Sequence, residues 1–175
     1  DNANCFNLNT TAQPKLLAVD AAKLAARKAF HLKALLRDGS AAGWNVLRKP
    51  GATGAIPALV DETTLLWALK RRVGDVLPYT DENGRAFDVQ IVGTLPDSVF
   101  QGYLLVDERL FLEKFPSHPG YSIFLVDAAS AADIGGVRNR LEATIRDVGG
   151  RVDLTREVLA AFHQIETTYI AIFNV

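Results

Sequence analysis

Three histidines, one cysteine and three adjacent acidic pairs are the side chains of this sequence whose chemistry could reach beyond packing. His31, His118 and His163 stand far apart, and none sits in a metal-ligand spacing. Cys5 with a distant histidine would make a nucleophile–base pair, yet no signature surrounds either partner. They read as surface histidines and a packed cysteine. The glycines at 51–54 and 135–136 lack the strand–turn–helix pattern that cradles a phosphate, and no Lys-Ser or Lys-Thr comes after them. The expectation is therefore no enzyme: no catalytic residue, no metal ligand and no cofactor is assigned.

Asp61-Glu62, Asp81-Glu82 and Asp107-Glu108 could be imagined as acid–base dyads. Each falls where a turn or a helix start is expected, and negative charge is favoured at a helix N-terminus. Capping is the better reading. Lys70-Arg71-Arg72 has two readings: an anion or lipid-headgroup contact, or a solvated helix end that complements the dipole. In Val99-Phe100-Gln101-Gly102-Tyr103, two aromatics flank a glycine between strands. Val99, Phe100, Gln101 and Tyr103 either line a core or form a candidate partner surface.

These groups need a scaffold, and the composition allows one. With 175 residues, 49% hydrophobic and 22% charged, the chain can bury a core as one domain or two small ones. Nineteen basic against 20 acidic residues leave a net charge of -1, which marks neither a nucleic-acid binder nor a polybasic surface protein. A single cysteine excludes a disulfide scaffold. No methionine occurs, even at position 1, and the opening Asp1-Asn2-Ala3-Asn4-Cys5 has no signal-peptide texture. The expectation is an excised or processed piece of something longer.

Local patterns predict the elements. Residues 16–19 read as a short buried strand, with Asp20 capping a helix from Ala21; 29–35 fit helix or strand equally, and 39–54 reads as a long loop around Trp44. Residues 56–60 read as a strand, placed at an edge or at its first position by Pro57. A helix over 61–70 would bury Leu65, Leu66 and Leu69. Asn83-Gly84 predicts a tight hairpin turn, and the alternation Phe87, Val89, Ile91, Gly93, Leu95 a half-buried antiparallel strand that Val92 interrupts. Leu104-Leu105-Val106 is another strand, and Asp107 caps a short helix ending before Pro116. Ile123–Val126 reads as a buried strand, and Ser130 with Asp133 as a capping box. A helix face of Val137, Leu141, Ile145 and Val148 comes next, ended by Gly149-Gly150. Residues 151–154 read as a strand, and Thr155 as the cap of a last helix striped by Val158, Phe162, Ile165, Tyr169 and Ile172. The expected class is α+β: two α/β ends, 1–55 and 117–175, pairing around a β-rich insert, 56–116.

Several segments, taken in order, resemble a known family. They are Asn4-Cys5-Phe6-Asn7-Leu8-Asn9, Pro14-Lys15-Leu16-Leu17-Ala18-Val19-Asp20, and Ile56-Pro57-Ala58-Leu59-Val60-Asp61-Glu62-Thr63-Thr64. Val73-Gly74-Asp75, Asp81-Glu82-Asn83-Gly84-Arg85, Ile91-Val92-Gly93-Thr94-Leu95 and Ser98-Val99-Phe100-Gln101-Gly102 continue the series. Glu166-Thr167-Thr168-Tyr169-Ile170-Ala171-Ile172-Phe173 closes it. Together they resemble the extracytoplasmic (periplasmic) domain of MacB/FtsX-like bacterial ABC-transporter permeases, over essentially the whole chain.

The resemblance implies a discontinuous porter-like α/β subdomain, 1–55 with 117–175, and an inserted β-rich subdomain, 56–116. It implies a non-catalytic segment on the outer side of the bacterial inner membrane, looped out between two transmembrane helices. ATP-driven motion of those helices would be coupled to export, to lipoprotein or lipid release, or to activation of a partner. The implied partners are an ABC ATP-binding subunit reached through the membrane portion, and a second extracytoplasmic domain or permease copy. A lipoprotein, a lipid or another periplasmic protein could join them; nucleic acid is not among them. Phe162, Ile165, Tyr169 and Ile172 become the candidate transmission stalk. The competing readings are a free-standing secreted ligand- or protein-binding adaptor, and an unrecognised hydrolase.

Overall fold

Apolar β-branched and leucine residues crowd 56–60, 89–95 and 104–106, and these become the interior strands of a mixed sheet. The computed structural model describes residues 13–33, 35–36, 43–51 and 54–173, the side chains of 165–173 excepted. It has strands β1 (Lys15–Val19), β2 (Ile56–Asp61), β3 (Val76–Thr80), β4 (Ala86–Leu95) and β5 (Tyr103–Asp107), in the order β1-β5-β2-β4-β3. Helices α1 (Ala21–Arg27), α2 (Glu108–Lys114), α3 (Ile134–Ile145) and α4 (Thr155–Phe173) complete the α+β fold. The chain divides into two units, one up to Pro119 and one from Gly120. The sheet crosses the boundary expected at 55/56, because β1 pairs in parallel with β5.

β2 pairs in parallel with β4 and antiparallel with β5, so it is the central strand, and every residue of it is buried. The edge place that Pro57 predicts is thereby corrected. Proline is tolerated in the centre because the β5 ladder opens only at Ala58, and Pro57 needs no donor on that side. β4 holds the second correction. Ala58 faces Ile91 but Leu59 faces Gly93, so Val92 is an extra residue in the ladder. The bulge flips the later half of the strand. Val89 and Ile91 belong to one apolar cluster, Val92 and Leu95 to the other.

Both faces of the sheet are therefore covered. The first cluster sets Ala58, Val60, Leu104 and Val106 against Leu65 and Leu110. The second sets Leu59 and Leu105 against Ala21, Trp44, Leu47 and Phe100. Trp44 lies in a 3-10 helix (Gly43–Arg48), not an open loop; it is buried, and its indole Nε1 donates to Ala29 O at 2.6 Å. Residues 29–33 are neither helix nor strand. Lys28 (φ 51°) ends α1 in the left-handed region, and Lys33 then forms an isolated antiparallel bridge with Thr94. Phe30 takes φ 60°, a cost for a bulky residue that packing against Phe100 (ring centroids 5.3 Å) and Trp44 (6.1 Å) offsets.

The sheet curls, and its outer strands meet at one end. Tyr79 Oη on β3 donates to Pro14 O, next to β1, at 2.7 Å, and Gln13 Nε2 donates to Pro78 O at 2.7 Å. Burial pushes the Tyr79 hydroxyl up to about 12. The folded protein thus holds this proton more tightly than the unfolded chain, and the stability involved is present below pH ~10 and lost as pH rises toward 12. Guanidinium unfolding at pH ~9 and pH ~11.5 is expected to show that loss, about 2 kcal/mol, in the native protein and not in Tyr79→Phe.

Beyond Gly120 the structure departs from the patterns. Residues 123–126 pair with no strand among the described residues, and Phe124 is 75% exposed. Residues 151–154 form no strand either. High β-propensity needs a neighbour to pair with before it becomes a strand. In α3, Val137, Leu141 and Ile145 are half-buried as expected, but Val148 falls in a 3-10 turn and is 80% exposed. Thr155 is the first helical residue of α4; Leu154 O accepts from Glu157 N and Val158 N.

Candidate functional site

In each acidic pair the aspartate bonds local backbone, and in the first two the glutamate reaches a more distant partner. Asp61 Oδ1 accepts from Thr63 N (2.9 Å) and Thr64 N (3.3 Å), while Oδ2 accepts from Ser98 N at 3.0 Å. Glu62 instead pairs with Lys33 at 3.0 Å. Asp81 Oδ1 accepts from Asn83 N and Arg85 N, and Glu82 takes the Ser117 hydroxyl and amide. Asp107 Oδ1 accepts from Arg109 N at 3.2 Å and opens α2. The hairpin turn itself is wider than the primed form expected: within it Gly84 alone takes positive φ (78°), and Gly84 N donates to Asp81 O.

Asp61 is the most buried of these carboxylates, at 1% exposure. Burial raises its pKa above the ordinary carboxylate range, partly opposed by the amides of Ser98, Thr64 and Thr63. Its network continues through Ser98 Oγ, which accepts from Phe100 N, and Thr64 Oγ1, which accepts from Gly102 N. This knot ties the end of β2 to the 96–102 loop. It is positioning, not chemistry: both carboxylate oxygens are engaged by backbone amides. Among the described residues every buried side-chain polar atom has a partner.

Ser117, His118 and Glu82 come together as a cluster that no local pattern signals, since Glu82 lies 35 residues from Ser117. Ser117 Oγ hydrogen-bonds Glu82 directly; His118 Nδ1 stands 3.3 Å from the hydroxyl oxygen and 3.9 Å from the carboxylate. A hydrolytic triad needs the imidazole between hydroxyl and acid. Here the acid holds the hydroxyl itself, and the cluster fastens the β3–β4 turn to the end of α2. His31 and His163 are exposed and belong to different units, and Cys5 lies outside the described residues. Among the described residues no group of three potential metal ligands forms. An open cleft of 520 Å³ between α3 and α4 is lined by Arg138, Glu142, Arg156 and Glu157. Arg138 there bonds Glu142 at 2.7 Å and reaches Glu157 at 3.8 Å.

The apolar side chains of the 99–103 segment pack in or against the second cluster. Phe100 is core at 4% exposure, and Val99 and Tyr103 pack partly buried against the same cluster. Gln101 is half-buried. Of the proposed stalk, Phe162 is half-buried on α4, and the side chains of Ile165, Tyr169 and Ile172 lie outside the described residues.

Among the described residues of the first unit, the most exposed large apolar side chains lie just after β2. A π-helical turn, Thr64–Leu69, buries Leu65 and leaves Leu66 54% and Trp67 74% exposed. The helix expected here buries Leu65 and half-buries Leu69, but Leu66 points out, because the wider turn shifts it off the inner face. Lys70, Arg71 and Arg72 come next, all exposed. Trp67 is the one member of this surface that the residue patterns left unmarked. Its place two residues beyond Leu65 already sets it on the far side of a helix.

Comparison with known proteins finds no matching family model, no similar curated protein and no similar solved structure.

Proposed function

We propose that this chain is an interaction domain that works by transmitting position, not by transforming a substrate. More narrowly, we infer the extracytoplasmic domain of an ABC-transporter permease subunit of the MacB/FtsX-like class, with porter-like character in the chain's two ends. The observation that carries this reading is α4. It runs unbroken from Thr155 to Phe173, with Val158, Leu159 and Phe162 half-buried near its start and an apolar sequence, Tyr169-Ile170-Ala171-Ile172-Phe173, at its far end. A helix of that length is a stiff rod that can carry motion along its axis. No helix of the described residues is long and apolar enough to cross a membrane.

In such a domain the Asp61 knot, the bulged sheet and the two-sided core would keep the first unit rigid. The resemblance of the ordered sequence segments supports the family; the fold is compatible with it through its α+β class.

The test places a reporter on an exposed position. Val148→Cys, in a Cys5→Ser background of the full-length gene product, is expected to react with a membrane-impermeant maleimide on intact spheroplasts, and the protein to copurify with an ATPase subunit. Labelling only after lysis sinks the reading. Recovery of the protein from the culture medium would make it a secreted adaptor instead.

A further inference from the structure

We propose that the tip formed by residues 66–72 is a docking surface for the anionic headgroups of a lipid bilayer. Leu66 and Trp67 project side by side, at 54% and 74% exposure. Side chains that exposed stand out from the surface and cannot line a groove, so they suit a soft, planar partner into which they can sink. An indole at such a tip has the apolar body and polar N–H that favour the headgroup region. The three cations beside them supply the charge complement. Among the described residues no carboxylate pairs with the side chains of Lys70, Arg71 or Arg72, whereas Lys23, Lys33 and Arg109 each have one.

The tip is also held stiff. Lys70 adopts φ 52° and its amide donates to Leu65 O, as does that of Arg71 at 3.1 Å, so the basic run folds back against the π-turn. Asp75 Oδ2 accepts from Arg72 N at 3.0 Å, and Gly74 N donates to Ile91 O at 2.7 Å. Leu65, Leu69 and Val73 pack beneath, in or against the first cluster. Little ordering entropy is lost when a pre-set surface meets its partner. The carboxylates nearest in sequence, Glu62 and Asp75, are engaged by Lys33 and by the Arg72 amide.

Trp67 is its own reporter, because the second tryptophan of the chain, Trp44, is buried. The full chain is mixed with vesicles of phosphatidylcholine alone, or with phosphatidylglycerol at three to one. The expected result is a blue shift of emission and co-sedimentation with the anionic vesicles only. Both are weakened by salt, and affinity falls roughly a hundredfold in Lys70→Gln/Arg71→Gln/Arg72→Gln. Trp67→Ser removes the shift. Insertion of α4 alone would sediment the protein without moving Trp67 emission, and would overturn the assignment. So would an equal shift with soluble polyglutamate and none with vesicles, which would give the tip to an acidic polypeptide. The result is independent of the transporter reading, since the isolated chain is the sample.

Discussion

Replacing Asp61 by alanine is expected to destabilise the protein by about 3 kcal/mol, more than Asp61→Asn. Alanine strands three backbone donors at once, those of Thr63, Thr64 and Ser98, the last two in buried surroundings. Each orphaned amide costs about 1–3 kcal/mol, and relief of the buried charge returns only part of that. Asparagine keeps an acceptor for Thr63 and Thr64 and loses only the Ser98 bond. Urea unfolding of the two variants decides it: if alanine is the milder change, the carboxylate is a burden and not a tie. The same carboxyl fixes a sign with pH. Its folded value is raised, so the folded state binds the proton more readily, and this contribution favours folding below the ordinary value near 3.8 and is lost as pH rises through the raised one. Asp61→Asn is expected to lack that dependence.

Leu104→Ala and Leu105→Ala are expected to cost about 2–5 kcal/mol each, and nearly equally. Successive strand residues point to opposite faces, and these two are fully buried on opposite faces of the sheet. A sheet wet on one side would make one of the two substitutions nearly free. Equal losses in denaturant midpoint therefore report the two-sided cover that α1, the Trp44 turn and the 98–100 loop provide. A loss confined to Leu104 would remove the second cluster from the folded core.

The parts of the fold that rest on short-range physics were legible. Asp20, Asp61 and Asp107 each cap the helix or turn directly after them, since a cap needs only the next three amides. The β3–β4 hairpin and the end of α2 near Pro116 belong to the same class. The corrected expectations depend on partners distant in sequence. The face change at Leu95 arises from the register of β4 against β2, which no periodicity within β4 contains. The central place of Pro57 depends on where β5 stops pairing. Residues 123–126 carry the composition of a strand without a described neighbour to make them one. In the candidate surface the three cations were visible as a run, while Trp67 required the orientation of one helical turn.

By tying β3 to the chain near β1, Tyr79 and Gln13 also bear on association between molecules. A sheet's outermost strand is a template on which another chain can polymerise. β3 is such a strand, yet its middle residue, Pro78, has no N–H to offer, and its carbonyl is already taken by the Gln13 amide. A neighbouring molecule that laid a strand along β3 would find no donor, and an acceptor already engaged, at the centre of its length. Gln13→Ala would hand that carbonyl back, and with it the first foothold for fibre-like growth in concentrated solution.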